Sequence, residues 1–593
     1  VAIATTLALL IDIDKAKQDS FLMKKLTSQK ISQAISEAGF EAVDFDVSAP
    51  PKAEMGDWAS NVALLIAGKE KKNPREVAEL LISKLQQDSE IEKVEIAGPG
   101  FINVTLKKEL YFDELDRILF EGKKYGADDA DKKETFNVEY ISANPTGPLH
   151  IGNARSGPIG EAIANLLEFN GHKVTREFYI NDIGLQTIRF GRSLYHWYAI
   201  KSNPEAKFPE DGYPADYVKE ISERIQKDSI TEIKTLETKP HPTSPLKGEE
   251  AIIDFFAKEG LKHTIKSIHE DAALIGINFD IWSKESELLS SGKTSEIIQR
   301  LKEKNATTEK DGALWFKRPD DPELEDAESV LIKSDEEKNY TYFANDIAYH
   351  VDKIERGVDK LVDVWGANHF GHIPRMKASL SALDYSDEIL NIVVYQYVRL
   401  KKSGESMSMG KRLGNFVTLR QVIEAGVEAD AFKYFILSQN PNTPFDFDIE
   451  LAADKSDKNP VYYIKYAHAR IASVQQKAKS DPTSPFGLCG AGEGIVREEI
   501  DWNLLENQKE VALYKELIKF PELIFDVSAD FQIQAIPHFA YKIAVLFNDF
   551  YESCPILRAE ENVKSARIGL IEATKIVLKN SLSILGIEAP ERM

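Results

Sequence analysis

Apolar and polar positions change their period several times along this chain, and each change marks an element. FNVEYI, starting at Phe136, alternates and is rich in β-formers, which predicts a strand. SANPTGPLHIGNA follows, loaded with Pro, Gly and Asn, and predicts a loop. From about Ala154 apolar residues recur with helical spacing at Ile159, Ile163, Leu166 and Leu167, until Asn170-Gly171 stops the helix as a C-cap pair does. HKVTREFYI is then a second strand. Residues 136–180 therefore predict a βαβ half of a doubly wound nucleotide fold, an α/β class, with its ligand where the loop meets the helix N-terminus.

The same reading organises the rest. Residues 23–112 predict a small α/β domain: a helix edge at Ile31, Ile35, Ala38 and Phe40, a helix opened by Asn73-Pro74, and two strands around Gly98-Pro99-Gly100. A charged helix and linker fill 113–135. The catalytic domain is expected over 136–456, with a charged, helical insertion over about 190–335. LVDVW and ILNIVVYQYV, within 338–400, read as buried parallel strands that complete the sheet. A Gly/Ser/Lys loop follows from residue 401, then a helix with a Thr418/Gln421 capping box that Gly426 ends. Residues 457–593 read as all-helical. Pro-rich polar stretches at 237–250 and 481–485 predict surface insertions. VAIATTLALLIDID is apolar but lacks a basic flank and is too short to span a bilayer. Met23-Lys24-Lys25, with an amphipathic helix behind it, is the more natural start, so 1–22 is expected to be an extension outside the fold.

Composition narrows the function classes. The 593 residues are 43% apolar and 29% charged, as in a soluble globular protein. Net charge is −22, so any RNA contact must use local basic patches against an acidic background. Cys489 and Cys554 make neither a disulfide framework nor a zinc site, and a reducing cytoplasm is the expected location.

Candidate chemistry centres on Pro148-Leu149-His150-Ile151-Gly152-Asn153. Gly152 lets the backbone approach a ligand closely, while His150 and Asn153 can donate to phosphate oxygens beside a helix dipole. No general base is obvious, which suits reaction at phosphorus, where positioning and charge stabilisation dominate. The plain alternative is a turn with one incidental histidine. The loop from Gly404 to Gly410 is no P-loop: its glycine spacing is wrong, and Arg412 follows Lys411 where Ser or Thr belongs. An NAD oxidoreductase is excluded for want of G-x-G-x-x-G after the first strand.

SANPTGPLHIGNARSGPIGEAIANLLEFNGHKVTREFYINDIGLQ resembles the signature segment of the class I aminoacyl-tRNA synthetases, and among them closely that of the arginyl-tRNA synthetases. The family's HIGH tetrapeptide corresponds to His150-Ile151-Gly152-Asn153, with Asn in place of the last His. Ser408-Met409-Gly410-Lys411-Arg412 resembles its KMSKS motif, of which only Lys411 is kept. Some members with a degenerate motif carry a compensating Lys just upstream of HIGH; that position is Gly147 here, which leaves Lys401 or Lys402 as substitutes. GDWASNVALLIAGKEKKNPREVAE and AGPGFINV resemble the family's N-terminal tRNA-contacting domain, with Lys69, Lys71, Lys72 and Arg75 as phosphate candidates.

The resemblance implies a Rossmann-like catalytic core, a small N-terminal α/β domain and a helical anticodon-binding domain. It implies arginine, ATP with Mg2+, and tRNA(Arg) as partners, no membrane, and a monomer. Catalysis would fall to His150, Asn153 and Lys411, and ATP binding to these with Gly152 and Gly366. Arginine would meet Glu139, Asn144, Tyr342, Asp346 and His369, because a guanidinium needs carboxylates in bidentate geometry. For Glu139 and Asp346 the plain alternative is pairing with lysines. tRNA contact would use Tyr462, Tyr466, Arg470, Asn548 and Tyr551, where aromatics interleaved with polar groups can stack on splayed bases. Other readings are a different class I synthetase, a nucleotidylyltransferase, or an RNA-binding paralogue that has lost catalysis.

Overall fold

The computed structural model describes residues 23–128, 133–238, 248–317, 329–335, 339–402, 405–407, 417–480 and 500–593. The extension 1–22, Lys411, Cys489 and the segment 481–485 lie outside them, as does most of 237–250.

Five parallel strands carry the centre: β1 (Thr135–Glu139), β2 (Lys173–Ile180), β3 (Ile281–Lys284), β4 (Lys360–Gly366) and β5 (Leu390–Tyr395), in the order β5-β4-β1-β2-β3. Chain order reverses at β1, where β2 lies on one side and β4 on the other. The crevice between the carboxyl ends of β1 and β4 is thus the switch point at which doubly wound sheets bind ligands. The sheet is buried on both faces, which is why Val138, Leu361, Val362 and Val364 form near-continuous apolar runs.

The helix after β1 starts earlier than its composition suggests. Ile151–Ala154 is already helical, and Arg155 keeps helical angles (φ −54°, ψ −41°) into Ser156–Phe169. Gly152 and Asn153 are poor helix formers, so they read as loop. Asn170 ends the helix, and Gly171 follows at φ +80°.

Residues 23–106 form a separate unit of antiparallel strands, ordered Val47–Ser48, Trp58–Ser60, Phe101–Leu106, Ile91–Ala97, with three helices. Asn73 caps its helix by accepting from the Arg75 amide at 2.9 Å. The insertion packs helices Leu185–Ala199, Asp216–Asp228, Ile230–Thr238 and Glu249–Leu274 around Phe190, Leu194, Ile225 and Phe256. The span 190–335 also contains β3, a strand of the central sheet. Four residues are too few to display a period, so IWSK reads as part of the charged surroundings. ILNIVVYQYV divides: Leu390–Tyr395 joins the sheet, whereas Val398–Lys402 pairs with Phe445–Asp448.

The C-terminal helices Pro460–Lys479, Gln508–Leu517, Phe520–Asp530, Ala535–Ser553 and Glu561–Ile584 enclose Ile543, Phe547, Leu570 and Val577. They lean on the other units through Trp502 to Asp116 (2.9 Å), Lys515 to Asp57 (2.6 Å), and Asn580 to the Tyr125 carbonyl (3.2 Å). Among the described residues no helix is long and apolar enough to cross a membrane.

Candidate active site

β1 leaves the sheet through a strained corner. Ile141 and Ser142 sit at φ +67° and +37°, a region that costs non-glycine residues of order 1–3 kcal/mol each. Ser156 Oγ accepts from the Ile141 amide (3.1 Å), and Ser142 Oγ accepts from the Tyr179 amide (3.0 Å), so the corner is over-determined. Beyond it, His150 caps the helix: its Nδ1 accepts from the Asn153 amide at 3.1 Å. A ring that accepts at Nδ1 carries its proton on Nε2. Any Cβ at Gly152 would come within 3.1 Å of that ring, so glycine at 152 leaves room for His150.

Residues 417–419 are tied to this corner. Ile151 N donates to the Val417 carbonyl (3.1 Å) and Leu419 N to the Leu149 carbonyl (2.8 Å), pairing His150 with Thr418 in a short antiparallel bridge. The Thr418/Gln421 capping box holds the same segment from its other side. Arg155 is fully buried and donates to the carbonyls of Gln396 (2.6 Å), Asn440 (3.0 Å) and Thr443 (3.0 Å).

An ionic chain crosses the switch point. Glu139 and Asp363 are register partners on β1 and β4. Lys353, fully buried on the helix Tyr342–Glu355, reaches Glu139 (2.5 Å) and Asp363 (3.0 Å). His350 Nε2 meets Asp363 at 2.7 Å and Nδ1 meets Asp346 Oδ1 at 3.2 Å, while His372 Nε2 meets Asp346 Oδ2 at 2.7 Å. Glu139 thus pairs with a lysine, and Ser142 also donates to it (2.8 Å); Asp346 pairs with two histidines. Burial opposes charge throughout. For His350 the flanking Asp346 and Asp363 outweigh it and raise the imidazole to about 10. For Asp346, His350 and His372 outweigh burial and hold the carboxyl far below the usual range. Burial raises Glu139 despite Lys353. The Asp346 side chain keeps 28% exposure and so presents an anion to the cleft.

This sets a pH dependence. A group raised from 6.5 to about 10 on folding gives stability that is complete below pH 6.5 and lost as pH rises through 10. The melting temperature should therefore fall between those limits, with His350 contributing on the order of a few kcal/mol. His350→Gln should flatten that slope; an unchanged slope in calorimetry would remove His350 from the account.

One carboxylate emerges that sequence reading missed. Glu285 follows β3, is 2% exposed, and accepts from Asn345 Nδ2 at 2.7 Å. Its Oε2 has no hydrogen-bond partner among the described residues, although the Tyr179 hydroxyl faces the same carboxylate. Burial, with Asp182 and Asp346 adding to it against the Asn345 bond, pushes the carboxyl up to about 7. Such a group is short of a cation. Tyr342, 60% exposed, stands by Glu285 and Asn181. The signal was positional: an acidic residue at the carboxyl end of a sheet strand. Asn144 and His369 are exposed, His369 with its ring centroid 6.2 Å from Trp365. Gly366 ends β4, where a Cβ would fall 2.7 Å from Asn368 Oδ1.

Comparison with known proteins decides the family. The profile of the class I (R) tRNA synthetase catalytic domain matches residues 114–448, that of the arginyl tRNA synthetase N-terminal domain 25–106, and that of the DALR anticodon binding domain 464–593. The arginine–tRNA ligase of Caldanaerobacter subterraneus is 39% identical over 588 residues, 98% of this chain and 99% of the relative. That of Aquifex aeolicus is 37% identical, covering 96% of this chain and 100% of the relative. The chain belongs to the arginyl-tRNA synthetases. The solved arginyl-tRNA synthetase of Thermus thermophilus has the same fold, with TM-score 0.71 at 20% identity over 96% of this chain and 100% of that one.

Against the family's motifs, Lys411 lies outside the described residues, and Lys401 Nζ stands 3.7 Å from Asp448. Gly147, the compensating position, has no space: a Cβ would lie 2.7 Å from the Tyr217 hydroxyl. In the DALR region four candidates converge. Arg470 is sandwiched between the rings of Tyr466 (4.6 Å) and Tyr551 (4.9 Å) and donates to Asn548 Oδ1 (2.8 Å). Both tyrosines are exposed, so the stack reaches solvent. Tyr462 lies one turn earlier, half-buried. In the N-terminal unit Lys69 pairs with Glu41 (2.8 Å) and Lys72 with Glu70 (2.9 Å).

Proposed function

We infer that the chain ligates L-arginine to tRNA(Arg) in two steps. The arginine carboxylate attacks the α-phosphate of ATP, pyrophosphate leaves, and arginyl-adenylate forms. A hydroxyl of the terminal tRNA adenosine then takes the arginyl group, and AMP leaves. The observation that carries this reading is the pair of carboxylates Asp346 and Glu285, close enough to feel each other's charge, in a sheet whose switch-point strand leads into the helix that His150 caps.

The reacting carboxylate must face residues 144–153, so arginine lies with its α-amino end toward Glu139 and Asn144. Its guanidinium then extends toward Glu285, Asp346 and Tyr342, with His369 at the rim. This placement differs from the clasp expected of Glu139, which shares Lys353 with Asp363. A guanidinium gives Glu285 the cation its burial lacks, and two carboxylates can take its fork of donors. His150 and Asn153 stabilise charge on the phosphate, Gly152 and Gly366 admit the nucleotide, and Lys411 supplies a cation to the departing phosphates. Mg2+ accompanies the ATP phosphates. The Tyr466–Arg470–Tyr551 stack, with Asn548 behind it and Tyr462 alongside, receives tRNA bases.

Aminoacylation with total tRNA tests this. Arginine should be charged, and lysine, a point cation without the fork, should not. Tight tRNA binding without charging would favour an RNA-binding protein that has lost catalysis.

A further inference from the structure

The helical insertion grips the loop before His150 by its backbone. Pro145 and Thr146 are buried, and a loop of Pro145, Gly147 and Pro148 has no ladder of its own to satisfy their carbonyls. Thr264, buried on the helix Glu249–Leu274, donates its hydroxyl to the Pro145 carbonyl at 2.5 Å. Tyr217, in the first turn of the helix Asp216–Asp228, donates to the Thr146 carbonyl at 2.7 Å. That hydroxyl occupies the space a side chain at residue 147 would need, so Gly147 and Tyr217 are a matched pair.

A third point lies two turns beyond Thr264. Asp271 is 1% exposed and lies 2.7 Å from Arg420 and beside the Leu149 amide. Arg420 belongs to the helix Leu419–Glu424, whose leading residues pair with Leu149 and Ile151. One insertion helix therefore holds both strands of the bridge that contains His150.

We propose that Tyr217, Thr264 and Asp271 are positioning residues for adenylate formation: the insertion, rather than the nucleotide fold alone, sets where His150 stands. Hydrogen bonds to the carbonyls of 145 and 146 fix the backbone ahead of His150, and the Asp271–Arg420 ion pair ties the same helix to the segment that pairs with 149 and 151. A displacement of about 1 Å there costs up to about 10²-fold in rate, because stabilisation at phosphorus depends on placement.

The inference rests on reading residues 148–153 as the ATP site. Its test is ATP–pyrophosphate exchange with arginine and tRNA present, on the full chain, for Tyr217→Phe, Thr264→Val, Asp271→Asn, Arg420→Gln and the Asp271→Asn/Arg420→Gln pair. Each should lower kcat by on the order of tenfold or more while the arginine KM stays within about twofold. The double variant should lose no more than its worse single variant, since one contact is broken only once. Unchanged kcat in Tyr217→Phe, Thr264→Val and Asp271→Asn overturns the proposal. So does a rise in arginine KM that matches a fall in melting temperature, because that marks general loosening. His150→Ala in the same assay separates the two failures. If it too leaves kcat unchanged, the ATP site is misplaced; if it alone lowers kcat, the brace is wrong. Tyr217→Phe loses only an oxygen and keeps the ring, so it reports even if Asp271→Asn folds poorly.

Discussion

Replacing Asp346 by asparagine should raise the KM for arginine by on the order of 10²-fold or more and leave the KM for ATP nearly unchanged. Asparagine keeps the size of the side chain; its single oxygen accepts from His372, and His350 Nδ1 keeps the Asp346 backbone carbonyl at 2.7 Å, so the pocket keeps its shape. What disappears is the carboxylate charge that the proposed pocket sets against the guanidinium. Breaking a buried ion pair by removing one partner costs about 3–5 kcal/mol, and each 1.4 kcal/mol is about tenfold in affinity. Because the Asp346 side chain is 28% exposed, the lower end of that range applies. His350 keeps Asp363 as a partner at 2.7 Å, so the imidazolium is not stranded. Asp346→Ala should raise KM similarly, and comparing the melting temperatures of the two variants separates lost charge from lost packing. An unchanged arginine KM with a raised ATP KM would place Asp346 in the nucleotide site and sink this pocket.

The elements around this pocket were legible where local rules act alone. The β-formers of FNVEYI, the Asn170-Gly171 stop, the Asn73-Pro74 cap and the Thr418/Gln421 capping box depend on neighbours in sequence, and the structure forms each element, although the strand is Thr135–Glu139, buried on both faces rather than alternating, and Ile141 lies beyond it. Charge pairing was not legible, because it depends on what the fold brings opposite. Lys353 is one more lysine in HVDKIER, yet it is fully buried between two strands. KESELL resembles the start of a solvated helix, yet Glu285 is turned inward behind a strand of only four residues. In the C-terminal helices Tyr466 and Tyr551 stay outside while Phe547 closes the core; helical spacing alone does not separate these roles.

His150→Ala should lower kcat by on the order of 10²-fold or more while arginine binding stays nearly intact. Donors aimed at charge that develops only in the transition state are worth about that much, and they act on kcat because the ground state hardly feels them. The variant removes two things at once. One is the Nε2 donor; the other is the helix cap, since Nδ1 accepts from the Asn153 amide at 3.1 Å. Loss of a cap costs about 1 kcal/mol of stability. His150→Asn divides the two effects. Asparagine is among the best N-cap residues, so it restores the bond to the 153 amide and the melting temperature with it. Its side chain is shorter than imidazole, so the donor that reaches the phosphate is still missing. A low kcat with a normal melting temperature in His150→Asn therefore assigns the loss to the donor. If His150→Asn recovers the wild-type kcat, His150 serves only to start the helix, and charge at the phosphorus must be met by Asn153 and Lys411 instead.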